Sequence, residues 1–275
     1  MSVKSFIQKN PVTCYFGLTF LISWMGAFLL VANKLINNEP IPKFDGIIMF
    51  PIMILGPAIS GIVLTSFQGG SRAVRELFGR MNPGHIKMTW LFVLFIPPIV
   101  ILFLLFILSN FLSNEYAPGF FLIGLFFGIP AGFLEEIGWM GFAFPNIVRQ
   151  RSALTSSILL GLFWGLWHLP VINFLGAASP HGSDWLIYFL SFTAVMTAMR
   201  VIIAWTYVNT HSLLLTQLLH ISSTGFLVVF SPTPILTQHE PIWYFFYAFV
   251  LWGIVILIYY RYGKNLVRKS LLYTA

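Results

Sequence analysis

The sequence predicts an all-α fold: a polytopic membrane helix bundle of about eight transmembrane helices, with both termini in the cytoplasm. Three observations carry this. Of 275 residues, 58% are hydrophobic and only 8% charged, where soluble domains carry about 25% charged residues. Eight apolar runs are long enough to cross a bilayer, which takes about 20 residues. The basic residues fall almost wholly between those runs. The chain, 1-275, reads as a single integral-membrane domain without internal repeat, low-complexity tract or soluble appendage.

The first run, Pro11 to Val31, is too long for a signal-peptide core and has no convincing small-residue cleavage site after it, so it reads as a retained span. It holds the single cysteine, Cys14, which excludes an internal disulfide. The second and third runs are Asp45 to Phe67 and Met88 to Phe111. The fourth, Gly119 to Pro145, is long, and Pro130 is expected to kink it one turn before a pair of glutamates. The remaining four are Ala153 to Val171, Trp185 to Tyr207, Ser212 to Phe230 and Pro241 to Tyr260.

Orientation follows from the loops. With a cytoplasmic N-terminus, the inside segments hold twelve basic residues: Lys4, Lys9, Arg72, Arg75, Arg80, Lys87, Arg149, Arg151, Arg261, Lys264, Arg268 and Lys269. The outside loops hold two, Lys34 and Lys43. This is the positive-inside pattern. The net charge of +7 is thus explained by membrane orientation, and nucleic acid is not expected as a partner.

Chemistry is expected where charge enters the apolar runs. Glu135 and Glu136 stand in Gly132-Phe133-Leu134-Glu135-Glu136-Ile137-Gly138-Trp139. A carboxylate at membrane depth costs about 2.5–3.5 kcal/mol on insertion scales, so the pair marks a functional site. Gly124, Gly128 and Gly132 form a four-residue ladder continuing into Glu136 and Met140, and such spacing lets membrane helices approach closely. Glu136 is therefore expected to face a neighbouring helix and Glu135 to turn aside from that seam. The bland alternative leaves both glutamates hydrated at the interface. In the fifth run Gly161, Trp164 and His168 share a helical face. In the seventh, Thr216, Gln217, His220, Ser223 and Thr224 make a polar stripe that must face protein or a watery cavity. Its bland reading is interhelical hydrogen bonding. His85, His181, His211 and His239 lie in loops or at span ends and read as surface residues.

Together these residues resemble the CPBP family, the CAAX protease and bacteriocin-processing (Abi) membrane endopeptidases. The resemblance is carried by Glu135-Glu136 with the downstream Gly138-Trp139-Met140-Gly141-Phe142, by the aromatic-x-x-x-His of Trp164 to His168, by the turn Asn209-Thr210-His211-Ser212 and by His220, over roughly Gly119 to Thr224. The family pattern is E-E-x-x-x-R, F-x-x-x-H and H-x-x-x-N on successive helices. This chain departs from it at Met140, Trp164 and Thr224. The resemblance implies a catalytic core at about 119-230 and a glutamate-type intramembrane endopeptidase, a class formerly called metalloproteases. It implies that Glu135 and His168 hold and deprotonate a water while His220 and Thr224 stabilise the oxyanion, with Glu136 and Trp164 in support. The substrate would be a hydrophobic peptide or lipidated protein, in contact with membrane lipid, in a bacterial cytoplasmic membrane. No cofactor is favoured. Zinc held by Glu135, His168 and His220 is the mechanistic alternative, although H-E-x-x-H is absent. Two other functions remain open: an impaired family member acting as a peptide-binding or immunity protein, and a transporter or proton relay.

Three geometric expectations follow. The tips of Glu135, His168 and His220 should share a site of about 10 Å. That site should open toward the cytoplasm. Arg200, the one basic residue well inside a span, should pair with Glu136 in place of the arginine missing at Met140, the alternative being that it snorkels to headgroups.

Overall fold

The computed structural model describes residues 3–82, 84, 86–176, 181–232 and 235–267. His85, Arg268 and Lys269, and the side chains of Lys4 and Lys43, lie outside the described residues. There is no strand among the described residues, and each of the eight apolar runs forms helix. A short α1 (Val3–Lys9) leads into α2 (Pro11–Ile36), followed by α3 (Lys43–Gly79). Within α3 the backbone turns at Gly69 and Gly70, the latter at φ 67°. That is a left-handed conformation open to glycine at little cost. The turn separates the membrane part of α3 from a segment carrying the exposed Arg72–Glu76 pair. A 3₁₀ stretch, Met88–Phe95, continues into α4 (Ile96–Phe111).

The fourth run begins its helix at Gly124, because Phe121 N–H is taken by the Val229 carbonyl. Helix α5 (Gly124–Gly138) passes through Pro130 without interruption. The departure from α geometry falls after the glutamates, as a π-helical turn at Trp139–Ala143 leading into α6 (Phe144–Ile147). The fifth run divides at His168 into α7 (Ala153–Trp167) and α8 (Leu169–Gly176). Pro170, which lacks the N–H an unbroken helix would need at that position, accounts for that break. Then come α9 (Trp185–Thr210), α10 (Leu213–Val229) and α11 (Glu240–Tyr262). Among the described residues five segments are long and apolar enough to cross a membrane, while α7 and α10 are shorter apolar helices.

The bundle is apolar outside and polar within. Phe92, Phe106, Phe126, Phe249 and Leu257 are exposed, whereas Glu135, Glu136, Arg200, Gln217 and His220 are buried. That arrangement suits lipid as solvent. The loops gather into two ends. At one, Leu213 N–H meets the Arg80 carbonyl, Leu154 N–H meets that of Lys264, and Asn209 reaches that of Leu266. At the other, Lys34 pairs with Asp45, His239 with Glu115 at 2.6 Å and His181 with Glu240 at 2.7 Å.

Candidate active site

The site is assembled around a seam without side chains. A Cβ at Gly128 would lie 2.7 Å from the Ile221 carbonyl oxygen, and one at Gly132 would lie 2.6 Å from that of Gln217. Helices α5 and α10 therefore meet backbone to backbone, as the ladder predicts. One turn past the seam, Glu136 Oε1 lies 2.7 Å from His220 Nδ1. Helix α9 reaches the same carboxylate from another side: Arg200 Nη1 donates to both Glu136 oxygens at 2.8 Å. Arg200 gets this close because Gly161 of α7 leaves room, a Cβ there falling 2.6 Å from Thr197 Cα. Arg200 and Glu136 are fully buried, so the arginine pairs rather than snorkels. Its Nε and Nη2 have no hydrogen-bond acceptor, but the guanidinium carbon sits 4.1 Å over the Trp164 ring. That cation–π contact supplies part of what those donors lack.

Glu135 has different company. Its Oε2 accepts from Trp164 Nε1 at 2.8 Å and from Trp139 Nε1 at 3.2 Å. The sequence places Trp139 beside the glutamates and within the motif resemblance, but no donor role was expected for it. Its spacing of four from Glu135, which puts both on one helix face, is the signal that could have found it. Trp164 stands at the centre of the site. Besides binding Glu135 and carrying Arg200 on its face, it packs edge-on against His168 (5.5 Å between ring centres) and His220 (5.0 Å). His168 caps α7, and its Nδ1 lies 2.7 Å from the Trp164 carbonyl oxygen. With Nδ1 so engaged, Nε2 is the nitrogen left for a reactant. For His220 the same logic applies, with Glu136 holding Nδ1.

Glu135, Trp164, His168, His220 and Thr224 line one cavity of about 320 Å³. The three expected side chains therefore do converge. The rest of the wall is apolar, including Phe50, Val171, Phe192 and Leu227. The lining also includes Gly46, Ile172, Tyr188, Val228 and Tyr244. One expectation needs correction. His181 is not a surface residue: it is 6% exposed, bonded to Glu240 and stacked on Tyr188 at 3.8 Å. Its burial depends on a glutamate 59 residues away, which loop position alone does not reveal. His211 is exposed and His239 half-buried.

A family model described as Type II CAAX prenyl endopeptidase Rce1-like matches residues 88–226. That stretch covers half the chain and every side chain of the site. The chain belongs to this family. The CAAX prenyl protease 2 of Methanococcus maripaludis is 26% identical over 234 residues, covering 78% of this chain and 82% of the relative. Membership places this Rce1-like chain among membrane proteases, in line with the motif resemblance.

The side chains of this Rce1-like site suit a three-ligand metal ion poorly. Among the described residues no three of His, Cys, Asp and Glu form a group able to hold one. Glu136 is occupied by Arg200 and His220, and Glu135 gives one oxygen to two indoles. The chemistry below is therefore derived from these side chains and water alone.

Proposed function

We propose that the chain is a glutamate-type intramembrane endopeptidase that hydrolyses a peptide bond in a membrane-associated peptide, with a prenylated C-A-A-X segment as the leading substrate class. The observation that supports it best is the placement of Glu135. Both indole donors bind its Oε2, so Oε1 is available to a water within the cavity shared with His168 and His220. Glu135 takes a proton from that water, and His168 Nε2 accepts its second hydrogen as a hydrogen bond and orients it. The water oxygen adds to the substrate carbonyl. The resulting oxyanion accepts hydrogen bonds from the Thr224 hydroxyl and from His220 Nε2. The latter needs a doubly protonated ring, whose charge Glu136 balances. Collapse expels the amine, which takes its proton from Glu135. Preorganised donors for the oxyanion and a positioned base are the two largest contributions a site of this size can supply.

Arg200 acts through Glu136: it fixes the carboxylate that fixes His220, and so is a positioning residue. Met140 occupies the arginine position of the motif and is fully buried, which leaves the role to α9. The apolar cavity wall suits an apolar or lipid-bearing segment. The name of the Methanococcus maripaludis relative supports the prenyl-protease class. The catalytic core spans about 119-230, the termini lie in the cytoplasm, and the host membrane is a bacterial cytoplasmic membrane. The test is cleavage of a synthetic farnesylated C-A-A-X peptide by purified protein in detergent. Cleavage by wild type and not by Glu135→Gln supports the reading. Equal cleavage by both variants, or none by wild type on this or an unmodified hydrophobic peptide, overturns it.

A further inference from the structure

We propose that Arg80, at the C-terminal end of α3, is a positioning residue for the base: it fixes the π turn whose first residue, Trp139, presents its indole N–H to Glu135. This rests on the protease reading above, in which Glu135 is the base. In the sequence Arg80 counts only as loop charge, and it lies ahead of the stretch matched by the family model, residues 88–226. Its surroundings are not those of a loop cation. Arg72 pairs with Glu76 in the open, and Arg75 and Lys87 are exposed. Arg80 is half-buried, and its guanidinium donates through Nη1 to the Tyr207 hydroxyl and through Nη2 to the Gly141 carbonyl, at 2.7 Å each. Its own carbonyl accepts from Leu213 N–H at 2.9 Å. One residue therefore joins the end of α3 to α9, to the start of α10 and to the π turn after α5. These are the helices that carry Arg200, His220 and the two glutamates.

Trp139 stands at the joint that this contact holds. Its N–H ends α5 on the carbonyls of Glu135 and Glu136, and its carbonyl opens the π turn by accepting from Phe144 N–H, five residues on. Such turns are rare inside helices and frequent at functional sites. Here the side chain at the head of the turn is the indole whose Nε1 lies 3.2 Å from Glu135 Oε2. The turn is pressed against α3, since a Cβ at Gly141 would lie 2.7 Å from Leu77 Cδ1. Packing holds the Trp139 ring from the side, edge-on to Tyr15 and Trp167. Arg80 holds the backbone that sets the height of that ring along the helix. Hydrogen bonds from a charged donor are roughly twice as strong as neutral ones, and the planar fork of arginine holds its acceptors at a set separation. Tyr207 and Leu213 anchor Arg80, and Gly141 receives its position. Arg80 lines no part of the catalytic cavity, so it acts on the base without touching the substrate.

The test is a double-mutant cycle on purified full-length protein in detergent, with the farnesylated C-A-A-X peptide as substrate. Arg80→Met should lower kcat by about 10–100-fold, the scale of a reacting group displaced by up to about an ångström. KM should stay within about twofold, the signature of an interaction made in the transition state. Arg80→Lys, which can reach one of the two acceptors, should recover part of the loss. Arg75→Met, which removes an exposed charge from the same segment, should match wild type. Trp139→Phe should lower kcat by itself, and in that background Arg80→Met should cost less than about threefold more, because the contact it served is already gone. A full loss from Arg80→Met in the Trp139→Phe background overturns the proposal, as does unchanged kcat in either single variant or a loss confined to KM. If Arg80→Met does not fold, Arg80→Gln carries the same cycle under the same criteria. Wild type that cleaves neither this nor an unmodified hydrophobic peptide removes the protease reading. Equal turnover by wild type and Arg80→Met, with Glu135→Gln inactive, removes the role of Arg80 alone.

Discussion

Glu136 faces α9 and α10, where Arg200 and His220 occupy its oxygens, whereas Glu135 faces α7 and a cavity with only indole N–H groups on one oxygen. Both are buried to 1% exposure or less. Burial alone therefore does not distinguish them; the partners do. A rotation of about 100° per residue along a helix takes one carboxylate into a charge-compensated network and its neighbour into contact with a reactant space. The first is held by full charges from two helices. The second is held by neutral donors that orient it without neutralising it, which is what a base must keep in order to take a proton.

The comparison breaks most sharply at the free carboxylate. Glu135→Gln keeps the shape and can still accept from both indoles, so folding should survive while turnover falls by about 10²–10⁴-fold, the scale of a lost acid–base group. Peptide cleavage alongside thermal unfolding in detergent checks it, and near-normal turnover would end the assignment of roles. The opposite signature is expected on the other side. Arg200→Met takes the guanidinium from the buried Glu136 and leaves only His220 against it, and stability should drop by about 3–5 kcal/mol. Met140→Arg in that background should recover part of the loss by offering a cation four residues along the same helix. If Arg200→Met unfolds at the wild-type temperature, the network is not structural. A smaller effect is expected at the residue that touches both carboxylate regions. Trp164→Phe removes one N–H from Glu135 but keeps a ring beneath Arg200. Turnover should fall by roughly tenfold, equivalent to about 1.5 kcal/mol for a hydrogen bond to a charged group, with little change in melting temperature. The smallest effect is expected from chelation: turnover after treatment with phenanthroline should match the untreated enzyme, and loss restored by zinc would bring the metal alternative back.

How much of this was legible beforehand depended on whether the signal was local. Eight apolar runs were plain because each needs only its own residues to be apolar. The pairing of Arg200 with Glu136 was expected because unpaired charge inside a span is expensive enough to search for a partner, and the structure shows that contact. The glycine ladder pointed to close helix approach, though not to which helix. What failed to show was long-range or depended on irregular backbone. The π turn after Gly138 and the break at His168 are departures from regular helix that apolar periodicity does not reveal. The burial of His181 needed Glu240, on the last helix. Trp139 was visible at the right spacing and was passed over because a tryptophan in a membrane helix has an ordinary apolar explanation.

The contact between α5 and α10 has a mechanical consequence. Side chains can change rotamer, but two backbones touching at Gly128 and Gly132 have no such freedom. The helix carrying Glu136 is therefore registered against the helix carrying His220 and Thr224 as one machined surface is against another. A single methyl group added at Gly128 would push the helices apart by a fraction of an ångström to an ångström, at a distance from the reacting atoms. Misplacement of about 1 Å can cost about 10²-fold in rate, so tolerances in this enzyme would be set in a place that never meets the substrate.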